Sequence, residues 1–147
     1  MFSGQGMRRV IHVLDWIAAH TIPAEGVPRH QQIGRQGEDD AYFHLRRLGY
    51  VMVARNFRSP RRRGEIDLIG WHKDTLCFVE VKSRSTRDVK PAELAVDYDK
   101  QRDLRLVARE YLRLLAESPP YRFDIVSVYY DRKQPQFELF QDAFPVS

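Results

Sequence analysis

The chain has 147 residues, the size of one ordinary domain, and it is long enough to bury a core, so a second full domain is not expected. Lys and Arg number 24 against 20 Asp and Glu, and the formal net charge of +4 favours polyanionic partners without identifying one. The single cysteine, Cys77, excludes an internal disulfide and lies in an apolar run, as a small buried hydrophobe does. These features predict a reducing, cytoplasmic setting.

Residues 1–33 are predicted to be an appendage to the main domain. Apolar residues recur at helical spacing from Val10 to Ala18, which predicts a short amphipathic helix, and the breaker-rich segment TIPAEGVPRHQQIG follows it. The apolar patch in this stretch resembles a secretion signal only superficially, because His12 and Asp15 interrupt it, and it is too short to span a bilayer. Neither export nor a membrane span is expected.

The segment GRQGEDDAYFHLRRLGY predicts a helix that starts at Gly34 and ends at Gly49, with acidic residues in its first turn. Glu38 lies three positions before the first residue of the apolar stripe, so its carboxylate shares the side that faces the core. The stripe consists of Ala41, Leu45 and Leu48.

The remaining segments predict a mixed sheet. YVMVARNF, EIDLIGWH and LCFVEVKSR are typical of three strands joined by short turns, which form an antiparallel meander. DYDKQRDLRLVAREYLRLLAES then predicts a long amphipathic helix ended by Pro119 and Pro120, and YRFDIVSVYY and QFELFQDAF predict two closing strands. Because the fourth strand returns through a helix, it can pair in parallel. The order α-β-β-β-α-β predicts an α/β domain over residues 34–147, with helices flanking the sheet.

Three charged residues stand out in the apolar second and third strands: Asp67, Glu80 and Lys82. If the strands pair through a turn near Asp74, alternation places all three on one face. Two close carboxylates suit a hard divalent cation such as Mg²⁺, and a neighbouring lysine can orient or deprotonate water. The alternative is an ordinary solvated face with cross-strand ion pairs. The apolar residues on both faces around the charges favour the site, since isolated charges there would be costly.

Each predicted helix adds one polar residue to a core-facing stripe. Glu38 begins the stripe of the first helix, and Gln101 lies three positions before Leu104 in the second. Taken singly, Glu38 could stabilise a first helical turn, and Gln101 could be an exposed amide. Together with the charged strands, they favour one site at the sheet edge.

Basic residues flank the same strands. The run RNFRSPRRR carries no acidic residue and directly precedes the strand that bears Asp67, and further basic residues follow the third strand. A charge run is often only a solvated turn, but beside a carboxylate site these residues are candidates for phosphate binding. They are Arg55, Arg58, Arg61, Arg62 and Arg63 before the site, and Arg84, Arg87 and Lys90 after it. No helix suits a major groove, so structure-selective or nonspecific recognition is expected.

The stretch from Gly34 to Arg84, with GEIDLI and FVEVKSR as its strongest motifs, resembles the YraN-like family of predicted endonucleases. That family is similar to the PD-(D/E)xK nuclease superfamily, which includes restriction enzymes and Holliday-junction resolvases, and the resemblance implies a restriction-endonuclease-like fold. It also implies roles for individual residues. Asp67, Glu80, Val81 and Glu38 would form the metal-binding set for Mg²⁺ or Mn²⁺, Lys82 would assist the attacking water, and Gln101 would support the site. Ile66 stands where the superfamily motif has proline.

The predicted function is a metal-dependent endonuclease that hydrolyses phosphodiester bonds in DNA, with branched or structured DNA among the candidate substrates. Two alternatives stay open. One is a noncatalytic nucleic-acid-binding module in DNA processing. The other is a protein-interaction scaffold, in which the N-terminal helix pairs with a partner or with a second copy to form a homodimer.

Overall fold

The structure, a computed structural model, describes residues 29–85 and 96–147. The predicted N-terminal helix, together with Arg87 and Lys90, lies outside these residues. Two helices and five strands follow in the order α1, β1, β2, β3, α2, β4, β5. Their bounds are Arg29–Arg47 for α1, Val51–Arg58 for β1, Glu65–His72 for β2, Thr75–Arg84 for β3, Tyr98–Leu112 for α2, Tyr121–Tyr129 for β4 and Gln136–Phe144 for β5.

The five strands form one mixed sheet in the order β1-β2-β3-β4-β5. The pairs β1/β2, β2/β3 and β4/β5 are antiparallel, whereas β3 and β4 are parallel because α2 carries the chain back between them. The predicted α/β architecture with a helical crossover is confirmed, and it is consistent with a restriction-endonuclease-like core. In the described ranges, neither helix is long and apolar enough to cross a membrane.

The sheet is covered on both faces, as the apolar runs predict. Side chains of β3 alternate between the two: Cys77 and Val79 pack with α1, whereas Leu76 and Phe78 pack with α2. The buried residues of α1 are Ala41, Tyr42 and Leu45, and those of α2 are Leu104, Val107 and Ala108. A charged group in a central strand therefore lies in a region largely shielded from water.

Helix α1 differs from its prediction at both ends. It begins at Arg29, five residues before Gly34, so Glu38 lies in the helix interior and no acid occupies the first turn. The first-turn explanation of Glu38 is therefore wrong. At the other end, Leu48 follows the helix and is 47% exposed instead of buried, because the chain turns away through Gly49 at a φ of 94°.

Helix α2 is shorter than predicted. Its first turn is capped by Asp97, whose side chain accepts a hydrogen bond from the Lys100 N–H at 2.9 Å. It ends at Leu112, before Pro119, because the next turn tightens: the Leu115 N–H donates to Leu112 O, three residues back. The stripe nevertheless continues, since Leu115 still packs against the core.

A buried polar cluster forms around Asp124 of β4. Asp124 is fully buried, and its carboxylate accepts hydrogen bonds from Tyr50 Oη at 3.0 Å, Arg122 Nε at 2.9 Å and the Asp142 N–H at 3.0 Å. Tyr50 Oη also accepts from Gln141 Nε2 at 3.1 Å. These bonds join the segment before β1 to β4 and β5.

Candidate functional site

The paired strands β2 and β3 separate at Asp67. Their register runs from His72 opposite Thr75 to Leu68 opposite Val79 and stops there. Two residues beyond Val79, the Val81 N–H donates to Asp67 Oδ2 at 2.8 Å. A side-chain carboxylate thus satisfies a backbone donor where the ladder has ended.

Three carboxylates converge at the opening. Glu38 comes from α1, Glu65 and Asp67 come from β2, and each presents an oxygen within 4.8 Å of the others. Asn56 of β1 links two of them, since its Nδ2 donates to Glu38 Oε2 at 2.9 Å and to Glu65 Oε1 at 2.7 Å. Like charges this close repel one another, so a cation would stabilise the group.

Glu80 supplies a fourth carboxylate from β3. It is buried, with only 5% of its surface exposed, and its Oε1 forms ion pairs with Lys100 Nζ and with Lys82 Nζ, the latter at 3.8 Å. Its Oε2 is buried without a hydrogen-bond partner. An unpaired buried carboxylate oxygen is costly, which is the condition that a bound cation would relieve.

Glu38, Asp67 and Glu80 line one cleft of about 410 Å³. Its lining includes all four residues predicted to bind metal, namely Glu38, Asp67, Glu80 and Val81. The side-chain donors of these four residues are carboxylate oxygens, which suit Mg²⁺ and Mn²⁺ better than a soft metal. The residues present therefore fit a hard divalent cation.

The electrostatics of the cleft follow from burial and crowding. Burial, and then the charge of Glu80, raise the pKa of Asp67 to about 8, and burial also raises the pKa of Glu38 against the hydrogen bond from Asn56. Burial and the neighbouring charge of Lys100 lower the pKa of Lys82. For Lys100 burial acts in the same direction, but the ion pair with Glu80 prevails and raises its pKa. Without a cation, Asp67 therefore holds its proton more tightly than an exposed carboxyl does.

Gln101 does not contact the carboxylates. Its Nε2 donates to Val96 O at 2.7 Å, and its Oε1 accepts from Arg105 Nη2 at 3.2 Å. The amide thus fastens the segment before α2 to the helix. A supporting role for Gln101 stays a prediction, and in this structure it would act through the placement of the helix.

The predicted basic residues fall into two groups. Arg55 pairs with Asp39 at 2.5 Å and lies over the Tyr42 ring, and Arg58 pairs with Glu65 at 2.5 Å, so both are already engaged with the domain's own side chains. The turn arginines instead line a second cleft of about 400 Å³. It contains Arg61, Arg62, Arg63 and Arg102, together with Asp99, Asp103 and Leu106.

The second cleft leaves much of its positive charge available. Arg62 is paired with Glu110 at 3.6 Å, a long contact. Within residues 29–85 and 96–147, Arg61, Arg63 and Arg102 have no ion-pair partner. Arg84 lies at the end of β3, where its carbonyl accepts from the Tyr130 N–H at 3.0 Å. Phosphate binding by these residues stays a prediction.

Sequence reasoning missed three residues of the site. Lys100 lies four positions before Leu104 and seven before Val107, so the stripe that selected Gln101 would also have selected it. Glu65 shares a strand face with Asp67 by alternation. No sequence pattern indicated Asn56, because its position at the site depends on a left-handed backbone conformation, with a φ of 50°, inside a strand.

Comparison with known proteins identifies the family. The chain is 53% identical over 126 residues to a UPF0102 protein of Koribacter versatilis, covering 86% of this chain and 88% of that protein. It is 46% identical over 112 residues to one of Solibacter usitatus, covering 76% and 84%, and 46% identical over 118 residues to one of Cupriavidus taiwanensis, covering 80% and 86%. The profile of the uncharacterised protein family UPF0102 matches residues 37–128, which include the cleft residues Glu38, Asp67, Glu80 and Val81. The chain therefore belongs to UPF0102, the YraN-like family that its sequence resembles.

Proposed function

We propose that this protein is a metal-dependent endonuclease that hydrolyses phosphodiester bonds in DNA. The observation that carries the proposal is the meeting of Glu38, Asp67 and Glu80 in one cleft, with Lys82 and Lys100 beside Glu80. Carboxylates that hold a divalent cation next to an ammonium group are suited to phosphodiester hydrolysis. A solvated surface of cross-strand ion pairs does not account for Glu80, which is almost fully buried.

Mg²⁺ or Mn²⁺ is the proposed cofactor. The side chains of Glu38, Asp67 and Glu80 and the main-chain carbonyl of Val81 are the groups that would hold it, because hard cations take oxygen ligands. The unpartnered Glu80 Oε2 supports this assignment. When bound, the ion would polarise a phosphate and lower the pKa of a water molecule.

The two lysines have different tasks in this proposal. In its neutral amine form, Lys82 orients the attacking water and accepts its proton at Nζ. Burial and the charge of Lys100 lower the pKa of Lys82, which makes the neutral amine easier to reach. Lys100 keeps its charge through its ion pair with Glu80. It can therefore stabilise the negative charge that develops on the phosphate.

Arginines of the second cleft are the proposed contacts to the DNA backbone. Arg61, Arg62 and Arg63 lie in the turn between β1 and β2, immediately before the strand that bears Asp67, and all three are exposed. Guanidinium groups bind phosphates in a bidentate manner but read no sequence. We therefore propose structure-selective or nonspecific binding, with branched DNA among the substrates. Arg84, at the end of β3, and Arg87 and Lys90, which follow it in the sequence, are further proposed contacts to the backbone.

A cytoplasmic location is proposed from Cys77. This cysteine is free and buried, and burial raises the pKa of its thiol to about 12, so it stays protonated and unreactive. Pairing into a homodimer through residues 1–33 stays a prediction, since those residues lie outside the described part of the chain. Comparing the oligomeric state of the full chain with that of a chain lacking residues 1–33 tests it, and an unchanged monomer would contradict it.

Cleavage of a DNA panel tests the proposed function. Linear duplex, single-stranded, flapped and four-way-junction DNAs are incubated with the protein in Mn²⁺, and parallel reactions contain EDTA. The test variant is Asp67→Asn, and the matched control is Glu117→Gln, which neutralises an exposed carboxylate after α2. We expect cutting by the wild type and the control, and none with EDTA or with Asp67→Asn.

DNA binding is measured on the same substrates to separate catalysis from affinity. Asp67→Asn should bind nearly as well as the wild type, because the arginines that hold phosphate are unchanged. If no substrate is cut while salt-sensitive binding remains, the endonuclease proposal is wrong and a noncatalytic nucleic-acid-binding module is favoured.

A further inference from the structure

Strand β1 contains one residue in the left-handed region of backbone conformation. Asn56 has a φ of 50°, which is uncommon for a residue other than glycine and is tolerated best by asparagine and aspartate. In the register of β1 with β2, Arg55 lies opposite Leu68 and Phe57 lies opposite Ile66. Asn56 therefore occupies the position across from Asp67 in the neighbouring strand.

The side chain of Asn56 joins two carboxylates from different elements. Its Nδ2 donates to Glu38 Oε2 at 2.9 Å and to Glu65 Oε1 at 2.7 Å, so each of the two amide hydrogens has one acceptor. The other oxygen of Glu65 pairs with Arg58, whose side chain is 75% exposed. A neutral donor thus holds together two groups that would otherwise repel each other.

We propose that Asn56 is a positioning residue that fixes Glu38 and Glu65 beside Asp67, and that Glu65 thereby belongs to the divalent-metal site. The inference rests on the proposed function, because it takes the cleft to be that site. Its support does not come from the acidic residues alone. Glu80, which lines the same cleft as Glu38 and Asp67, keeps a buried oxygen without a partner. Metal-binding carboxylates are commonly oriented by hydrogen bonds of the kind that Asn56 makes.

Asn56→Gly separates the side chain from the backbone. Glycine adopts a positive φ without strain, so the substitution removes the amide while it permits the local conformation. The matched control is Lys73→Gly in the turn between β2 and β3, where Lys73 has a φ of 56°. Mn²⁺ affinity is measured by calorimetry on the DNA-free protein, and thermal unfolding is followed in EDTA. We expect Mn²⁺ to bind about 10–100-fold more weakly to Asn56→Gly, and unchanged to Lys73→Gly.

Glu65→Gln provides a second, independent test. It keeps the size of the side chain and leaves Asn56 in place, so it tests the assignment of Glu65 even if Asn56→Gly does not fold. We expect it to weaken Mn²⁺ binding as well. In the double variant, loss of Asn56 should cost less affinity than it does in the wild type, because one of the two carboxylates it positions is already neutral.

The outcomes separate this inference from the proposed function. Wild-type Mn²⁺ affinity in a folded Asn56→Gly protein would show that Asn56 serves the fold alone and would overturn its positioning role. Wild-type affinity in Glu65→Gln would remove Glu65 from the site. If the wild-type protein itself binds no Mn²⁺, the proposed metal site fails, and this inference fails with it.

Discussion

Neutralising Asp67 should stabilise the metal-free protein while it abolishes catalysis. Asp67 has a pKa of about 8, raised from 3.8 first by burial and then by the charge of Glu80. In the unfolded chain both causes disappear, so the folded state binds this proton more tightly. Because the folded pKa is raised, the stability that the proton contributes is fully present below about pH 4 and is lost as the pH rises towards 8. Asp67→Asn removes this dependence.

The size of the effect follows from the two pKa values. They differ by about four pH units, and each unit corresponds to about 1.4 kcal/mol, so ~6 kcal/mol is an upper bound. Asp67 retains some exposure to water, and its repulsion is shared with Glu80 and Glu38, so we expect about 2–3 kcal/mol. The substituted amide keeps an oxygen that can accept the Val81 N–H. Asp67→Asn should therefore exceed the wild type in free energy of unfolding at pH 8 and lose this advantage near pH 4.

Urea unfolding in EDTA between pH 4 and pH 9 measures this difference. Glu117→Gln is the control, since an exposed carboxylate should show no comparable trend. Adding Mn²⁺ should then stabilise the wild type and have little effect on Asp67→Asn, because the ion needs the carboxylate. The reasoning would be refuted if Asp67→Asn were less stable than the wild type at pH 8, or if the difference between them did not change with pH.

Three further predictions concern packing, buried polarity and DNA. Gly37→Ala should lower the free energy of unfolding in urea by about 1–3 kcal/mol, because the added Cβ would lie 1.7 Å from Ser83 Oγ and 2.9 Å from Ser83 Cβ. Gly34→Ala in the same helix is the control: its Cβ meets no atom within 4 Å, so it should be neutral or stabilising by about 0.5–1 kcal/mol. Equal effects of the two substitutions would contradict this. Tyr50→Phe should lower the free energy of unfolding by about 1–3 kcal/mol in the same assay, because the buried Asp124 loses a hydrogen-bond donor. The circular dichroism spectrum should be unchanged. An unchanged unfolding midpoint would argue against that hydrogen bond. Replacing the three turn arginines with alanine should weaken DNA binding and flatten its salt dependence in anisotropy titrations; an unaltered salt slope would exclude them as phosphate contacts. These arginines are Arg61, Arg62 and Arg63.

The elements and their order could be predicted because they depend on local patterns. Strands β2 and β5 have the bounds that alternation and flanking turns predict, and the parallel pairing of β3 with β4 follows from the helix between them. The helix ends were less predictable. Glycine at position 34 suggested a start, but α1 continues through it to Arg29, since one glycine lowers helix stability only modestly.

The sequence by itself determined the mixed sheet, the two core-facing helices and the presence of Glu38, Asp67 and Glu80 at one site, because periodicity assigns residues to faces before any contact is known. Val81 was assigned to the site by the family resemblance alone. The tertiary structure decided the connections between them. It placed Lys100 against Glu80, where Gln101 was expected to support the site, and it joined Glu38 to Glu65 through Asn56. These contacts depend on how far β2 and β3 separate and on where each helix crosses the sheet. Both are set by long-range packing, which no local pattern in the chain encodes.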